Sequence, residues 1–486
     1  MQTASKKIIN GWAMFDWANS VYNLVITTTF FPIYFLIVTK QPEWGNGEAV
    51  PFLGTTFINS TLYDYCIAFA YLIIALLYPI LTSIADTRGS KKKFMFFFTV
   101  MGSLGCASLY FFEKSTLLAG IVGLIFGAMG YVGSLVFYNA YLPEIAAPED
   151  RDRVSAKGYA YGYVGSVLMQ MVGFALVTLM TDKLQALRLT FLFVGLWWLA
   201  FSQITFARLP KSNVLAYERN NVFKDGFIKI KKVYNEVKTM PVLKAFLRGF
   251  FFYSMGVQTV MLAATQFGSK SLAMDDTKLI VSVVIIQLVA IAGAIVMSRL
   301  SAKFGNIKVL MGVLIIWIGL CVAAYATAGW AEPLKPFHDQ VDVLKIKKEA
   351  MDKNHASKEE LAKVDDEIAV VKAGFADKQT PVEYAFYGLA IGVGLVMGGV
   401  QSLSRSTYSK LMPETTETAS FFSYYDFTEK MAIVIGMLSF GLIHQFTGTM
   451  KNSVLFLVIF FAIGFLWLWM AQRRQAQEKV LPVVGK

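Results

Sequence analysis

The chain has 486 residues, 56% of them hydrophobic and 16% charged, against roughly 25% charged in soluble domains. Its net charge of +12 is spread between long apolar runs rather than gathered in one patch, which excludes nucleic acid as a partner and points to a lipid bilayer. Three cysteines inside apolar runs exclude a disulfide framework, and three histidines without ligand spacing exclude a metal site, so no cofactor is expected.

The first apolar run, about 12–39, is long enough to span a bilayer, since about 20 residues cover ~30 Å of hydrocarbon. It carries Asp16, Asn19 and Asn23 at i, i+3 and i+7, one face of a helix. An ionisable residue inside a membrane helix is costly and faces a bundle interior or a water-filled cavity. The plain alternative is an Asp16 near the headgroups, solvated or paired as a gate residue. The run is too long for a cleavable signal peptide, and it contains the aspartate.

Further runs follow at about 61–85, 94–112, 117–142, 156–180, 187–207, 244–268, 278–302, 308–330, 384–407, 421–443 and 452–472, which makes twelve. With the amino terminus inside, the inner segments collect Lys6, Lys7, Arg88, Lys91, Lys92, Lys93, Arg151, Arg153 and Lys157. The 208–243 segment adds eight cations, and Arg473 and Arg474 follow the last run. The outer loops hold scattered ones such as Lys40, Lys114, Lys183 and Lys451. By the positive-inside rule both termini are cytoplasmic, and the expected compartment is a bacterial inner membrane.

Two segments lie outside the membrane. In 208–243, Phe223, Phe227, Ile230, Tyr234 and Val237 are spaced as one helix face, with Lys224, Lys229, Lys231, Lys232 and Lys238 between them. That pattern predicts a basic amphipathic helix on an anionic leaflet. The 331–383 segment predicts two short helices folded as a hairpin around Asn354–Ser357, with Ser357 and Glu360 as a capping box. The expected division is therefore 1–207, a cytoplasmic linker at 208–243, and 244–486 with an extracytoplasmic insert at 331–383.

The two parts repeat. Pro143-Glu144 and Pro413-Glu414 are 270 residues apart, whereas Asp86–Gly89 and Ala302–Gly305 are 216 apart. The difference, 54, is close to the length of the insert. Six helices plus six in parallel halves is the architecture of major facilitator transporters. Asp86, Arg88, Gly89, Lys91 and Lys92 resemble that superfamily's cytoplasmic loop motif, without its leading glycine, and the second copy lacks the acid. The expected fold is an all-α membrane protein, twelve transmembrane helices in two pseudo-symmetric six-helix halves.

Three clusters narrow the resemblance: Trp12–Ser20 with Phe31-Pro32; Tyr138–Glu144 followed by Arg151-Asp152-Arg153; and Gln401–Arg405 followed by Phe421–Phe427. Together they resemble the bacterial permease relatives of the autophagy-related vacuolar amino-acid effluxer family, over nearly all of both halves. The resemblance implies that the first, fourth, seventh and tenth helices line a central cavity. The polar residues there, Asn19, Asn23, Tyr138, Asn139, Tyr253, Gln258 and Gln401, are the substrate-binding candidates, since amides and phenols orient a zwitterion; they also serve to glue helices.

The membrane-embedded charges form a second set: Asp16, Glu144, Arg248, Arg405, Asp426, Glu429 and Lys430. Asp426 and Lys430 are four apart and are expected to pair, which leaves Glu429 as the surplus acid. A gate of ion pairs between halves is the first reading of the set. A proton site at Asp16 or Glu429 is the second. Gly123/Gly127, Gly158/Gly162, Gly388/Gly392 and Gly394/Gly398 predict close helix packing.

No metalloprotease, phosphate-loop or cysteine–histidine motif occurs, so the chain is not read as an enzyme. The function expected is secondary active transport of small polar solutes, amino acids first, by alternating access in a monomer, with protons as a second ligand. The alternatives are a non-transporting receptor or scaffold and a facilitative uniporter of another solute class; flux by the purified protein separates them.

Overall fold

The computed structural model describes residues 2–40, 49–210, 222–353 and 357–480. The first helix, α1 (Lys6–Thr39), is α-helical to Val21, π-helical over Tyr22–Phe30, and α-helical again from Phe31. In the wide segment Thr28 Oγ1 donates to the carbonyl of Asn23 at 2.8 Å. Such π segments collect at functional sites. A hairpin that the hydropathy pattern did not reveal, β1 (Ala49–Phe52) and β2 (Thr55–Ile58), turns on Leu53 and Gly54 at φ 50° and 79°.

The first half continues with α2 (Asn59–Thr87), α3 (Lys91–Ser108), α4 (Leu117–Ala140), α5 (Arg151–Leu179) and α6 (Lys183–Arg208). The linker helix is α7 (Val222–Thr239). The second half comprises α8 (Pro241–Leu272), α9 (Asp276–Phe304), α10 (Asn306–Ala331), α11 (Lys335–Lys353), α12 (Lys358–Leu411), α13 (Thr418–Thr447) and α14 (Met450–Val480). Among the described residues, 11 helices are long and apolar enough to cross a membrane. The remaining expected span is α8, whose Arg248, Ser254, Gln258 and Thr259 dilute its apolar content. Its polarity belongs to a helix that faces protein rather than lipid.

Within the first half α1 packs on α5 and α6, and α3 on α4 and α6. Within the second, α9 and α10 pack on α12, and α8 and α10 on α14. The halves meet where α2 and α4 touch α13, and where α9 and α12 touch α5. Exchanging the halves carries α2 onto α9, α4 onto α12 and α5 onto α13, so these contacts form symmetric pairs. Glycine permits the tightest approaches: a Cβ at Gly394 would lie 2.5 Å from the Ile286 carbonyl on α9, and one at Gly123 2.5 Å from Ser108 Oγ on α3. Gly388 faces open space, so that half of its pair packs against nothing.

The N-terminus, the loop before Lys92, the linker and the end of α14 share one side of the bundle. Ala4 donates to the Ile145 carbonyl, Lys92 to Leu209, and Arg474 to Pro241. We call this the terminus side and the opposite one the far side.

The linker and the insert each add to what the sequence leads one to expect. The linker is helical, as expected; Val237 of its stripe is buried with Val233 in the protein core, packed toward α2 and α13, and Lys232 pairs with Glu417 at 3.0 Å. The other described member of the stripe, Tyr234, is exposed and stacks with Lys238; the side chains of Phe223, Phe227 and Ile230 lie outside the described residues.

In the insert, the hairpin and its capping box are present: Ser357 Oγ accepts from Glu360 N at 3.3 Å, and Glu360 Oε2 from Ser357 N at 2.9 Å. The turn residues 354–356 lie outside the described residues. The second helix is not short, however. It passes through Pro381 without a break and becomes the tenth span, 54 residues in one piece. A proline costs one backbone bond in a helix interior, and here continuous packing on both sides holds the rod. The insert is also docked: Gln379 Nε2 donates to the Leu272 carbonyl at 3.2 Å, Lys372 pairs with Asp275 at 3.5 Å, and Lys278 with Glu383.

Candidate functional site

A buried charge cluster sits where α1, α4, α5, α12 and α13 converge. Arg405 on α12 is its hub. Its Nη1 lies 3.3 Å from Asp16 Oδ2 on α1, a pair 389 residues apart in sequence that joins the two halves. Nε donates to Ser155 Oγ and Nη2 to the Ser155 carbonyl, both at 2.9 Å. The guanidinium also lies over the rings of Trp12 at 4.8 Å and Tyr159 at 4.3 Å. Side chains of both members are nearly inaccessible, 2% and 6% exposed, so removing either would strand a buried charge at a cost of about 3–5 kcal/mol.

Around this pair the geometry is tight. Tyr138 donates its hydroxyl to Asp16 Oδ2 at 2.7 Å, and its ring stacks on Trp12 at 4.4 Å. Trp12 Nε1 in turn donates to the Tyr138 carbonyl at 3.0 Å. A Cβ at Gly158 would collide with the Asp16 carboxylate, and one at Gly162 would lie 2.5 Å from Ser20 Oγ. The Gly158/Gly162 pair therefore makes room for the ion pair as well as for a helix.

Asn139 extends the cluster to α13: its Oδ1 accepts from Arg405 Nη1 and its Nδ2 donates to Asp426 Oδ1, each at 3.4 Å. The expected Asp426–Lys430 pair does not form. Lys430 instead pairs with the neighbouring Glu429 at 2.8 Å, and Gln258 on α8 donates to the other Glu429 oxygen at 3.3 Å. Asn139 engages Asp426 from α4, and the long lysine side chain reaches around the helix to the adjacent acid. Asp426 Oδ2 is buried and finds no protein donor.

On the terminus side two latches tie the halves. Asp86, at the end of α2, accepts from the backbone N–H groups of Ala419 and Ser420 at 3.1 and 2.8 Å and from Ser420 Oγ at 2.7 Å. It caps the start of α13, where the helix dipole favours an anion. Lys91 lies 3.5 Å from Asp86 and reaches both Glu144 and Thr418. Gly89, at φ 59°, turns the chain between them, and Arg88 is exposed. In the symmetric place Asp152, at the start of α5, accepts from Ser301 at 2.7 Å and from Asn306 and Lys410 at 2.6 Å.

The other candidates fall as follows. Asn19 is buried with its amide nitrogen unpartnered, and Asn23 lies in the π segment. Tyr253 meets Ser404 at 2.6 Å, and Gln401 accepts from Tyr163 at 2.9 Å. Arg248 stands apart from the buried cluster: it is exposed and stacks on Trp467 at 4.6 Å, inside its own half. Glu144 belongs to the terminus-side latch rather than to the central cluster. Sequence reasoning missed Trp12, Ser155, Tyr159 and Asp152 as participants; the run of Tyr159, Tyr161 and Tyr163 beside a glycine pair was the available signal. A cavity of about 80 Å³ lies elsewhere, among Val260, Phe267, Trp317, Cys321, Phe386 and Phe440, and is lined by apolar side chains.

Two helical bundles joined by buried charges, with 11 helices long and apolar enough to cross a membrane among the described residues, give the fold of a major facilitator transporter. Solved structures agree on the fold: a bacterial homologue of the iron transporter ferroportin in an outward-facing state has a TM-score of 0.61 at 13% identity, covering 97% of this chain and 98% of that one. The E. coli fucose:proton symporter also scores 0.61, at 12% identity, covering 96% of this chain and 97% of that one. The chain belongs to the family described as vacuole effluxer Atg22 like, which matches residues 4–346 and 371–480. The gap between those matches is the tip of the insert. An uncharacterized MFS-type transporter, YxiO of Bacillus subtilis (strain 168), is 27% identical over 465 residues, 94% of this chain and 93% of that protein. Autophagy-related protein 22 of Kluyveromyces lactis is 22% identical over 505 residues, 95% and 92% of the two chains.

Proposed function

We propose that this transporter moves small polar solutes, amino acids first, out of a bacterial cytoplasm by alternating access coupled to protons. The observation that carries the reading is the buried Arg405–Asp16 pair between α12 and α1. A pair that is desolvated, shared between two rigid halves and surrounded by amides and phenols serves both to close one mouth and to orient a zwitterion. The units that rock are 1–207 and 244–486, with 208–243 as the cytoplasmic linker. The terminus side is the cytoplasmic one on this reading, because its loops carry most of the basic residues. The latches at Asp86 and Asp152 close that side, and their release opens it. The effluxer description of the family and the amides of Asn19, Asn139, Gln258 and Gln401 support an amino-acid-like substrate.

The test is uptake of a labelled amino-acid mixture into proteoliposomes, with and without an imposed pH gradient, by wild type and Asp16→Asn. Gradient-driven flux in the wild type, with both driven flux and exchange lost in the variant, is the expected result. Absence of flux for every amino acid in the wild type overturns the substrate assignment.

A further inference from the structure

The central cluster holds three acids, Asp16, Asp426 and Glu429, against two cations, Arg405 and Lys430. One acid is therefore unmatched, and the hydrogen bonds identify it. Asp16 has Arg405 and the Tyr138 hydroxyl. Glu429 has Lys430 and Gln258. Asp426 has a neutral amide alone, at 3.4 Å on Oδ1, while its buried Oδ2 has no protein donor. A bare carboxylate oxygen removed from water is among the most costly groups a membrane interior can hold.

No cation among the described residues lies within ion-pair distance of it; Lys430 and Arg405 act on it only from farther away. Asn139 on α4 donates to Asp426, and Tyr78 on α2, Tyr159 on α5, and Arg405 and Tyr408 on α12 lie within electrostatic range of it. Its own helix adds Tyr425, Glu429 and Lys430, the last held by Glu429. On α8, Tyr253 is turned to Ser404 and Gln258 to Glu429. At the terminus side α7 places Lys232 on Glu417, and α14 keeps Arg473 on its own Trp469 and Arg474 on Pro241.

We propose that Asp426 is the proton-carrying carboxylate of the transport cycle, with Asn139 as the positioning residue that links it to the Arg405–Asp16 pair. The step is a proton transfer alone: a lone pair on Oδ2 takes a proton from hydronium on one side of the membrane, the O–H bond of hydronium breaking to leave water as the carboxyl O–H forms, and the carboxyl O–H then breaks to give the proton to water on the other side. Asn139 holds Arg405 with its oxygen and Asp426 with its nitrogen. Protonation weakens the second bond, frees the amide to rotate, and so loosens one support of the inter-half ion pair. This rests on the proton coupling proposed above, but it assigns the proton to a residue that the surplus-acid expectation, Glu429, did not.

Infrared spectroscopy of the purified protein tests it without any solute. The wild type is expected to show a protonated-carboxyl C=O band that titrates with pH, is lost in Asp426→Asn, is retained at shifted frequency in Asp426→Glu, and persists in Glu429→Gln. A band that survives Asp426→Asn, disappears in Glu429→Gln instead, or is absent from the wild type overturns the proposal. In proteoliposomes, Asp426→Asn is expected to lose pH-gradient-driven accumulation while exchange continues at a reduced rate; accumulation at the wild-type ratio overturns the proposal as well. If the wild type moves no amino acid, the substrate reading fails and the infrared result still decides the proton site.

Discussion

The two latches do the same job with opposite parts. In one, the acid ends a helix of the first half and is held by the backbone of the second: Asp86 accepts from two main-chain N–H groups and a serine at the start of α13. In the other, the acid starts a helix of the first half, and the second half supplies side chains: Ser301, Asn306 and Lys410 all point at Asp152. The motif copy at Ala302–Gly305 has no acid, and the facing helix supplies one. Symmetry in the backbone thus coexists with an exchange of charge across the interface. A backbone cap depends on geometry, whereas a side-chain latch depends on charge.

Breaking the side-chain latch should have the largest effect. Asp152→Ala leaves Lys410 and Asn306 facing a void and should destabilise the closed terminus side by about 3 kcal/mol, seen as a lower thermal midpoint in detergent. Moving the acid is a sharper test, because Ser301 and Asp152 are in direct contact. Ser301→Asp alone sets two carboxylates together and should be harmful, whereas Ser301→Asp with Asp152→Ser should recover about half of the loss in a double-mutant cycle. The backbone latch should tolerate more. Asp86→Asn still accepts from the N–H groups, so only the charge term is lost, about 1 kcal/mol, and hydrogen exchange at the start of α13 should rise only slightly.

The smallest effect concerns the loop that joins the latches, between Glu144 and Asp152. Asp150 accepts from Thr3 at 2.6 Å and pairs with Arg153 at 2.7 Å, contacts that hold its carboxyl below the ordinary value of 3.8. A folded value below the unfolded one stabilises at higher pH, and the benefit disappears as pH falls through the folded value. The stability of Asp150→Asn should therefore lie slightly below wild type at neutral pH, by about 0.5 kcal/mol after allowance for solvent screening, and converge with it in acid. A difference that persists in acid would place the effect in packing rather than charge.

Much of the fold was legible because hydropathy is a local property. Eleven spans, the capping box at Ser357 and the repeat with its 54-residue offset were all visible along the chain. The charges at Asp16, Arg405 and Asp426 stood out too, since their cost in a membrane helix is read one residue at a time. Their partners did not. Asp16 and Arg405 meet across most of the chain, and spacing rules suggested Lys430 for Asp426 when Glu429 takes it. Pro381 reads as a breaker, and only tertiary packing shows the helix passing through it.

That unbroken helix has a mechanical consequence. About 26 residues of α12 precede the tenth span, a rod of roughly 39 Å at 1.5 Å per residue, braced to α8 and α9 by Gln379, Lys372 and Glu383. Such a rod is a lever arm rigidly fixed to one half. A tilt of that half by about 10° would sweep its tip through roughly 7 Å, so the bundle carries its own pointer, with the angle between the halves magnified at its far end.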